Sequence, residues 1–221
     1  MPVFAPGTSY TSLNITPPVG LRMVIPKSNL QGAMSEIGQT VTVTSGSTTT
    51  TATVAQALWG LQIYVTPPNA PTGTPSLGLE VDLIYNGQQF LLQIIIGSYY
   101  VTSPITLQYN YPLNPTSLND ATIDIYFQGN DVYIYGNGQL LFNTNMLKGI
   151  GAIQQLTSDS TYISNTGSTI SGLTNYLSYN VQQLYVLNVS QILDIVIPLA
   201  VVSMILSLLP KVLTKLNIVK K

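Results

Sequence analysis

The chain contains no cysteine and no histidine. No disulfide framework can form, and neither a thiolate nor an imidazole is on hand for nucleophilic catalysis or metal binding. Charge is scarce as well: charged residues make up 7% of the 221, against about 25% in an average domain. With seven bases, eight acids and a net charge of −1, no basic patch precedes residue 211. That argues against nucleic-acid recognition by the main domain. So few titratable groups leave the charge little changed when pH falls, an arrangement suited to an acidic exterior. The first twenty residues, MPVFAPGTSYTSLNITPPVG, lack the basic start and apolar stretch of a secretory signal. No catalytic triad, phosphate-binding glycine loop or metal cluster with nitrogen or sulfur donors is present. The expectation is a non-enzymatic protein without a cofactor.

Neutral hydrogen-bonding residues supply most of the polar surface, and their arrangement is largely that of strands. Residues 1–35 read as an extended arm, because Pro2, Pro6, Pro17, Pro18 and Pro26 turn the backbone away from helix. Residues 36–148 read as an antiparallel β-sandwich of jelly-roll type. Around Thr40–Ser45 and Thr48–Thr51 the threonines fit either short edge strands or a solvated loop. Leu58–Val65 is strand-like. Leu79, Val81, Leu83 and Tyr85 alternate with Glu80 and Asp82, which gives one buried and one wet face. Asn86-Gly87 then predicts a two-residue hairpin to Gln88–Ile94, and the apolar run Phe90–Ile96 predicts a central strand covered on both sides. A meander follows over Asp124–Phe142, DIYFQGNDVYIYGNGQLLF, with turns at Gly129-Asn130 and Gly136-Asn137-Gly138. It resembles the hairpins of concanavalin-like and laminin-G-like sandwiches, in which strand, Asn-Gly turn and hydrophobic strand recur.

From Lys148 the texture changes. Leu156, Ile163, Ile170, Leu177 and Leu184 stand seven apart, the spacing of a helix whose seam faces other helices. Residues 149–191 are therefore expected to be a helical stalk that forms a homo-oligomer, with a polar Ser/Thr linker of chance spacing as the alternative. Residues 192–221 are expected to be a transmembrane helix with a lysine tail. Ile195, Val196, Ile197, Leu199, Val201, Val202, Ile205, Leu206 and Leu209 supply the apolar length, a bilayer core needing roughly 20 such residues. Asp194 falls inside the bilayer or at its headgroups, and Lys211, Lys215, Lys220 and Lys221 follow the run. Together the stalk and anchor predict one continuous helix.

Carboxylates are the remaining candidates for chemistry. Glu80 and Asp82 share a strand face, and Asp120, Asp124 and Asp131 lie near the meander, but their spacing forms no calcium loop and supports no glycosidase pair. Solvated strand faces account for them. The tyrosines are more suggestive: Tyr99, Tyr100, Tyr109, Tyr111, Tyr126, Tyr133 and Tyr135 are expected at outer strand positions, as a surface for sugars or for a protein partner. Of these, Tyr126, Tyr133 and Tyr135 are the candidate contact residues. Asn14-Ile15-Thr16 and Asn188-Val189-Ser190 match the glycosylation sequon.

In texture and layout, with low charge, abundant Tyr, Thr, Asn and Gln and an absence of cysteine consistent with an oxidising or hot, thermophile environment, the chain resembles structural virion proteins of membrane-containing archaeal viruses, spindle-shaped or turreted icosahedral. That resemblance implies a vertex, tail or adaptor protein in a virion or host membrane, its β domain on the particle exterior. Other virion or envelope proteins would be its partners, and the lysine tail alone could touch packaged nucleic acid. Two alternatives stay open: a membrane-anchored stalk of an archaeal surface layer, and a carbohydrate-binding attachment module that contacts glycan.

Overall fold

Alternating apolar and polar residues build two antiparallel sheets in the computed structural model, which describes residues 3–5, 7–45, 48–66, 77–98, 106–113, 119–129, 131–144, 152–170, 173–186 and 196–208. The strands in chain order are β1 (Val3–Phe4), β2 (Ser9–Ile15), β3 (Val19–Ile25), β4 (Thr40–Ser45), β5 (Thr48–Thr66), β6 (Leu77–Tyr85) and β7 (Phe90–Ser98). They continue with β8 (Thr106–Pro112), β9 (Ala121–Gln128), β10 (Asp131–Gly136), β11 (Gln139–Thr144), β12 (Ala152–Ser164), β13 (Thr169–Ile170) and β14 (Asn180–Tyr185). Helix α1 spans Lys27–Glu36, and a second helix, α2, covers residues 196–208. Among the described residues, sheet A runs β1-β14-β3-β9-β10-β11; sheet B runs β13-β12-β5-β6-β7-β8, with β2 beside β12 and β4 beside β5.

The chain divides into two units, Met1–Tyr185 and Val186–Lys221. In the first, Leu21, Met23, Ile25, Ile123, Ile125, Phe127, Val132 and Ile134 of sheet A, with Trp59, Leu61, Ile63, Leu79, Val81, Leu83, Leu92 and Ile94 of sheet B, are fully buried. Burial of apolar surface at about 25 cal/mol per Å² is what holds such a sandwich together in the absence of disulfides. Since successive strand residues point to opposite faces, fixing these residues inward fixes their neighbours outward. The outer faces of both sheets are thereby defined.

Several sequence expectations need correction. The N-terminal arm is not an extended lead: Val19–Ile25 is an interior strand of sheet A, hydrogen-bonded to β14 on one side and β9 on the other. Proline is tolerated at the start of a helix, where an amide donor has no partner anyway. Accordingly, Pro26 opens α1, which buries Leu30 and Ala33. Asp120 Oδ1 accepts the Lys27 amide at 2.9 Å, meeting one of the orphan donors of that helix start. The hairpin after Tyr85 is also longer than two residues, since Tyr85 pairs with Phe90. Within that turn Asn86 Oδ1 accepts the amides of Gln88 and Gln89 at 3.1 and 3.0 Å. Along β7 the odd positions Leu91, Gln93 and Ile95 stay half-buried, so one face is open and the strand is not covered on both sides.

Among the described residues of 149–191 the stalk is not helical. Residues 152–185 contribute β12, β13 and β14, and β12 pairs along its length with β5. In a strand a step of seven reverses the face. Leu156 is buried, whereas Ile163 lies half-buried opposite Gln56 on the outer side of sheet B. Ile170 sits buried on β13, Leu177 is buried ahead of β14, and Leu184 lies on the outer face of sheet A. These five form no seam. Serine, threonine and β-branched residues favour the pleated state, and an existing strand, β5, offers its edge.

The transmembrane helix is likewise corrected: among the described residues no helix is long and apolar enough to cross a membrane. Helix α2 holds Val196, Ile197, Leu199, Val201, Val202, Ile205 and Leu206, all exposed. Asp194, Ile195, Leu209, Lys211, Lys215, Lys220 and Lys221 lie outside the described residues, as do Asn188 of the second sequon, Tyr99 and Tyr100.

Candidate functional site

On the outer face of sheet A the antiparallel registers set side chains in rows. One row crosses Gln182 of β14, Arg22 of β3, Asp124 of β9 and Tyr135 of β10. The adjacent row crosses Leu184, Gly20, Tyr126, Tyr133 and Asn143. Arg22 donates from Nε to Asp124 Oδ1 at 2.6 Å and from Nη2 to Oδ2 at 2.7 Å. This two-pronged pairing fixes both groups in one plane. The arginine side chain is 38% exposed and the aspartate 9%, so the guanidinium covers the carboxylate and still meets solvent.

Tyrosines enclose that pair. Tyr126 and Tyr135 meet edge to face, with centroids 5.7 Å apart and planes at 83°. Tyr133 stands directly across from Tyr126, and all three are half-buried. Gly20 explains how the Tyr126 ring can lie so low: a Cβ there would come within 2.9 Å of its Cδ1 and Cε1 atoms and 3.0 Å of Leu184 Cβ. Burial first, then the nearby Asp124 carboxylate, raise the Tyr126 pKa above its ordinary value, so the hydroxyl stays protonated and able to donate at neutral pH. The structure thus brings Tyr126, Tyr133 and Tyr135 onto one surface. Tyr109 and Tyr111 belong elsewhere: they pack at Phe142 with centroids 4.8 and 6.2 Å away, at one side of the core.

The outer face of sheet B carries different chemistry. Asp159 of β12, Gly60 of β5, Asp82 of β6, Gln93 of β7 and Asn110 of β8 form one row; Thr157, Gln62, Glu80, Ile95 and Gln108 form the next. Gln62 Nε2 donates to Glu80 Oε1 at 3.1 Å, and Gln93 Nε2 to Asn110 Oδ1 at 3.2 Å. Asp82 is 3% exposed, and its Oδ1 has no hydrogen-bond partner. Burial first, then the negative charges of Glu80 and Asp159, push its carboxyl up to about 8. At pH 7 Asp82 is therefore mostly an uncharged acid. Beneath this face Tyr179 donates its hydroxyl to Gly60 O at 2.5 Å and lies 3.2 Å from Asp159 O, and burial raises its pKa.

Asp131 lies half-buried at the start of β10, and Asp120 serves α1. Among the described residues no group of three or more acids converges in a way that could hold a metal ion. Reading by sequence overlooked Arg22, Gly20, Gly60 and Asp159. Arg22 carried a signal, a lone base at an alternating position within VGLRMVI, but only the register with β9 reveals its partner.

No protein-family model matches the chain, and no curated relative does. Its fold is similar to several solved structures. One is the Caenorhabditis elegans galectin LEC-6, at 9% identity, covering 83% of this chain and 96% of that one, with a TM-score of 0.41. Another is the toad ovary galectin in complex with thio-digalactose, at 12% identity, 82% and 100% coverage, and a TM-score of 0.41. A third is the kappa-carrageenase of Pseudoalteromonas carrageenovora, at 10% identity, 79% and 64% coverage, and a TM-score of 0.40. The transmembrane helix and the coiled-coil stalk on which the virion expectation stood are not found among the described residues.

Proposed function

We propose that this chain is a non-enzymatic carbohydrate-binding β-sandwich whose contact surface is the tyrosine face of sheet A. The observation that supports it is the grouping of Tyr126, Tyr133 and Tyr135 around the two-pronged Arg22–Asp124 pair. A pyranose presents a flat C–H face and a rim of hydroxyls. Tyrosine rings receive the first, while a planar guanidinium, a carboxylate and the Gln182 and Asn143 amides receive the second. Because the ion pair and the edge-to-face tyrosines already hold one another, few rotamers remain to be frozen when a sugar docks.

The test is a glycan array probed with the full chain and with a Tyr133→Ala/Tyr135→Ala variant. The expected result is binding to one or more glycans that falls at least about tenfold in the variant, a loss of roughly 1.4 kcal/mol, while circular dichroism stays that of the parent. No binding to any glycan, or binding that survives both substitutions, would remove this reading.

A further inference from the structure

We propose that the sugar received by the tyrosine face is an acidic one, whose carboxylate or sulfate group docks on the free edge of the Arg22 guanidinium. This rests on the carbohydrate reading above and narrows it to a class of ligand.

The first observation is which donors the ion pair spends. A guanidinium carries five N–H donors in a rigid planar fork. Asp124 takes one from Nε and one from Nη2, so it occupies the side of the fork that those two nitrogens share. The second hydrogen of Nη2 and both hydrogens of Nη1 are left over, and no hydrogen bond occupies them among the described residues. Nη1 and Nη2 together make a second two-pronged edge. With the arginine side chain 38% exposed and the aspartate 9%, the spent edge is covered and the spare one is open to a ligand. A single sugar hydroxyl accepts from one prong, whereas an oxyanion accepts from both and adds charge to each hydrogen bond.

The second observation is how little charge competes. In the six strands of sheet A the charged residues are Arg22, Asp124 and Asp131. Asp124 lies behind the guanidinium, so an anion on the open edge sits nearer to the positive group than to the negative one, and attraction exceeds repulsion. Asp131 is four residues along β10 from Tyr135 and two strands from Arg22. Strand geometry places it roughly 17 Å away, beyond the approximately 8 Å over which exposed charges act at physiological salt. A cationic sugar would meet the guanidinium and be repelled.

The surroundings suit a ring attached to that anion. Gln182 stands directly across from Arg22 on β14, with an amide that can both donate and accept. The Tyr126 ring lies over Gly20, two residues from Arg22 on the same strand, and Tyr135 meets it edge to face. An acidic sugar anchored at Arg22 therefore has aromatic surface beside it in the direction of β9 and β10.

Isothermal titration of the full chain at about 0.05 M salt tests the proposal with two matched pairs of probes. One is a galacturonate tetramer and its methyl ester; the other is a sulfated galactose tetramer and its desulfated form. In each pair the sugar is kept and the anion removed, so the two pairs separate a carboxylate from a sulfate, and the comparison needs no variant of the protein. The expected result is binding of the anionic member at least about tenfold tighter in one pair or both, an advantage that shrinks at about 0.5 M salt. In Arg22→Met/Asp124→Asn, which strands no buried charge, that advantage should fall below about twofold while circular dichroism stays that of the parent. Tyr133→Ala/Tyr135→Ala should weaken both members of a pair alike. Equal binding within both pairs, lost in Tyr133→Ala/Tyr135→Ala, would overturn the inference and leave the tyrosine-face reading standing. An advantage that persists in Arg22→Met/Asp124→Asn would also overturn it, by placing the anion elsewhere, as on Lys211, Lys215, Lys220 and Lys221. Anionic binding untouched by Tyr133→Ala/Tyr135→Ala, or no binding to any glycan, would remove the inference and the reading together.

Discussion

Both outer faces of the sandwich hold a nearly buried aspartate, and they treat it in opposite ways. On sheet A, Asp124 receives two charge-assisted hydrogen bonds from Arg22. On sheet B, Asp82 has acids for neighbours and no base, and is kept uncharged at neutral pH. The contrast shows that burial alone does not decide the state of a carboxyl group. Its cross-strand partner does, since a unit charge taken from water must be paired or neutralised.

The sharpest way to break this comparison is to remove the titrating group from sheet B. The folded-state pKa of Asp82, about 8, lies above its ordinary value of 3.8. Below pH 3.8 the acid is neutral in both states and burial carries no titration penalty. Between the two values only the unfolded state ionises, so stability falls as pH rises, and the loss is complete above about pH 8. Asp82→Asn should therefore match the parent near pH 3 and be more stable at pH 8 by several kcal/mol, on the order of 5 at about 1.4 per unit with the group half ionised there. Chemical denaturation across that range is the measurement, and a variant less stable at pH 8 would contradict the account.

Next in size is the opposite operation on sheet A. Arg22→Met leaves Asp124 buried without its partner and should cost about 2 kcal/mol at pH 7, less than a fully buried pair because the arginine is partly solvated. Asp124→Asn in the Arg22→Met background should return much of that loss, as a double-mutant cycle would read out. Third, Gly60→Ala should cost about 1–2 kcal/mol by driving a methyl against Asp82 Oδ1, and Asp82→Ala should relieve it. The smallest effect is expected for Gly20→Ala, about 1 kcal/mol, through displacement of the Tyr126 ring. It should weaken glycan binding by the tyrosine face more than it lowers the melting temperature.

Much of the sandwich could be read directly. The Asp124–Phe142 meander is β9, β10 and β11 with positive φ at Gly129, Asn137 and Gly138, because alternation and turn chemistry are local properties. Tyr126, Tyr133 and Tyr135 were legible as one outer face for the same reason. Their fixed neighbour, Arg22, was not, being 102 residues from Asp124 in the chain. The step of seven from Leu156 to Leu184 misled because apolar residues seven apart satisfy a helical seam on paper, whatever state the chain adopts. A free edge of β5 settled the matter in favour of strand. Apolar length near residue 200 was likewise read as a membrane helix, where the described helix covers only residues 196–208.

By itself, then, the sequence determined the missing chemistry of cysteine and histidine, the strand period and the position of most hairpins, all of which follow from residue identity and short-range backbone preference. Only the tertiary structure decided which strands became neighbours, and so which acid met an arginine and which met other acids. Register across a sheet is set by burial of the opposite face, and no local stretch of sequence contains that information.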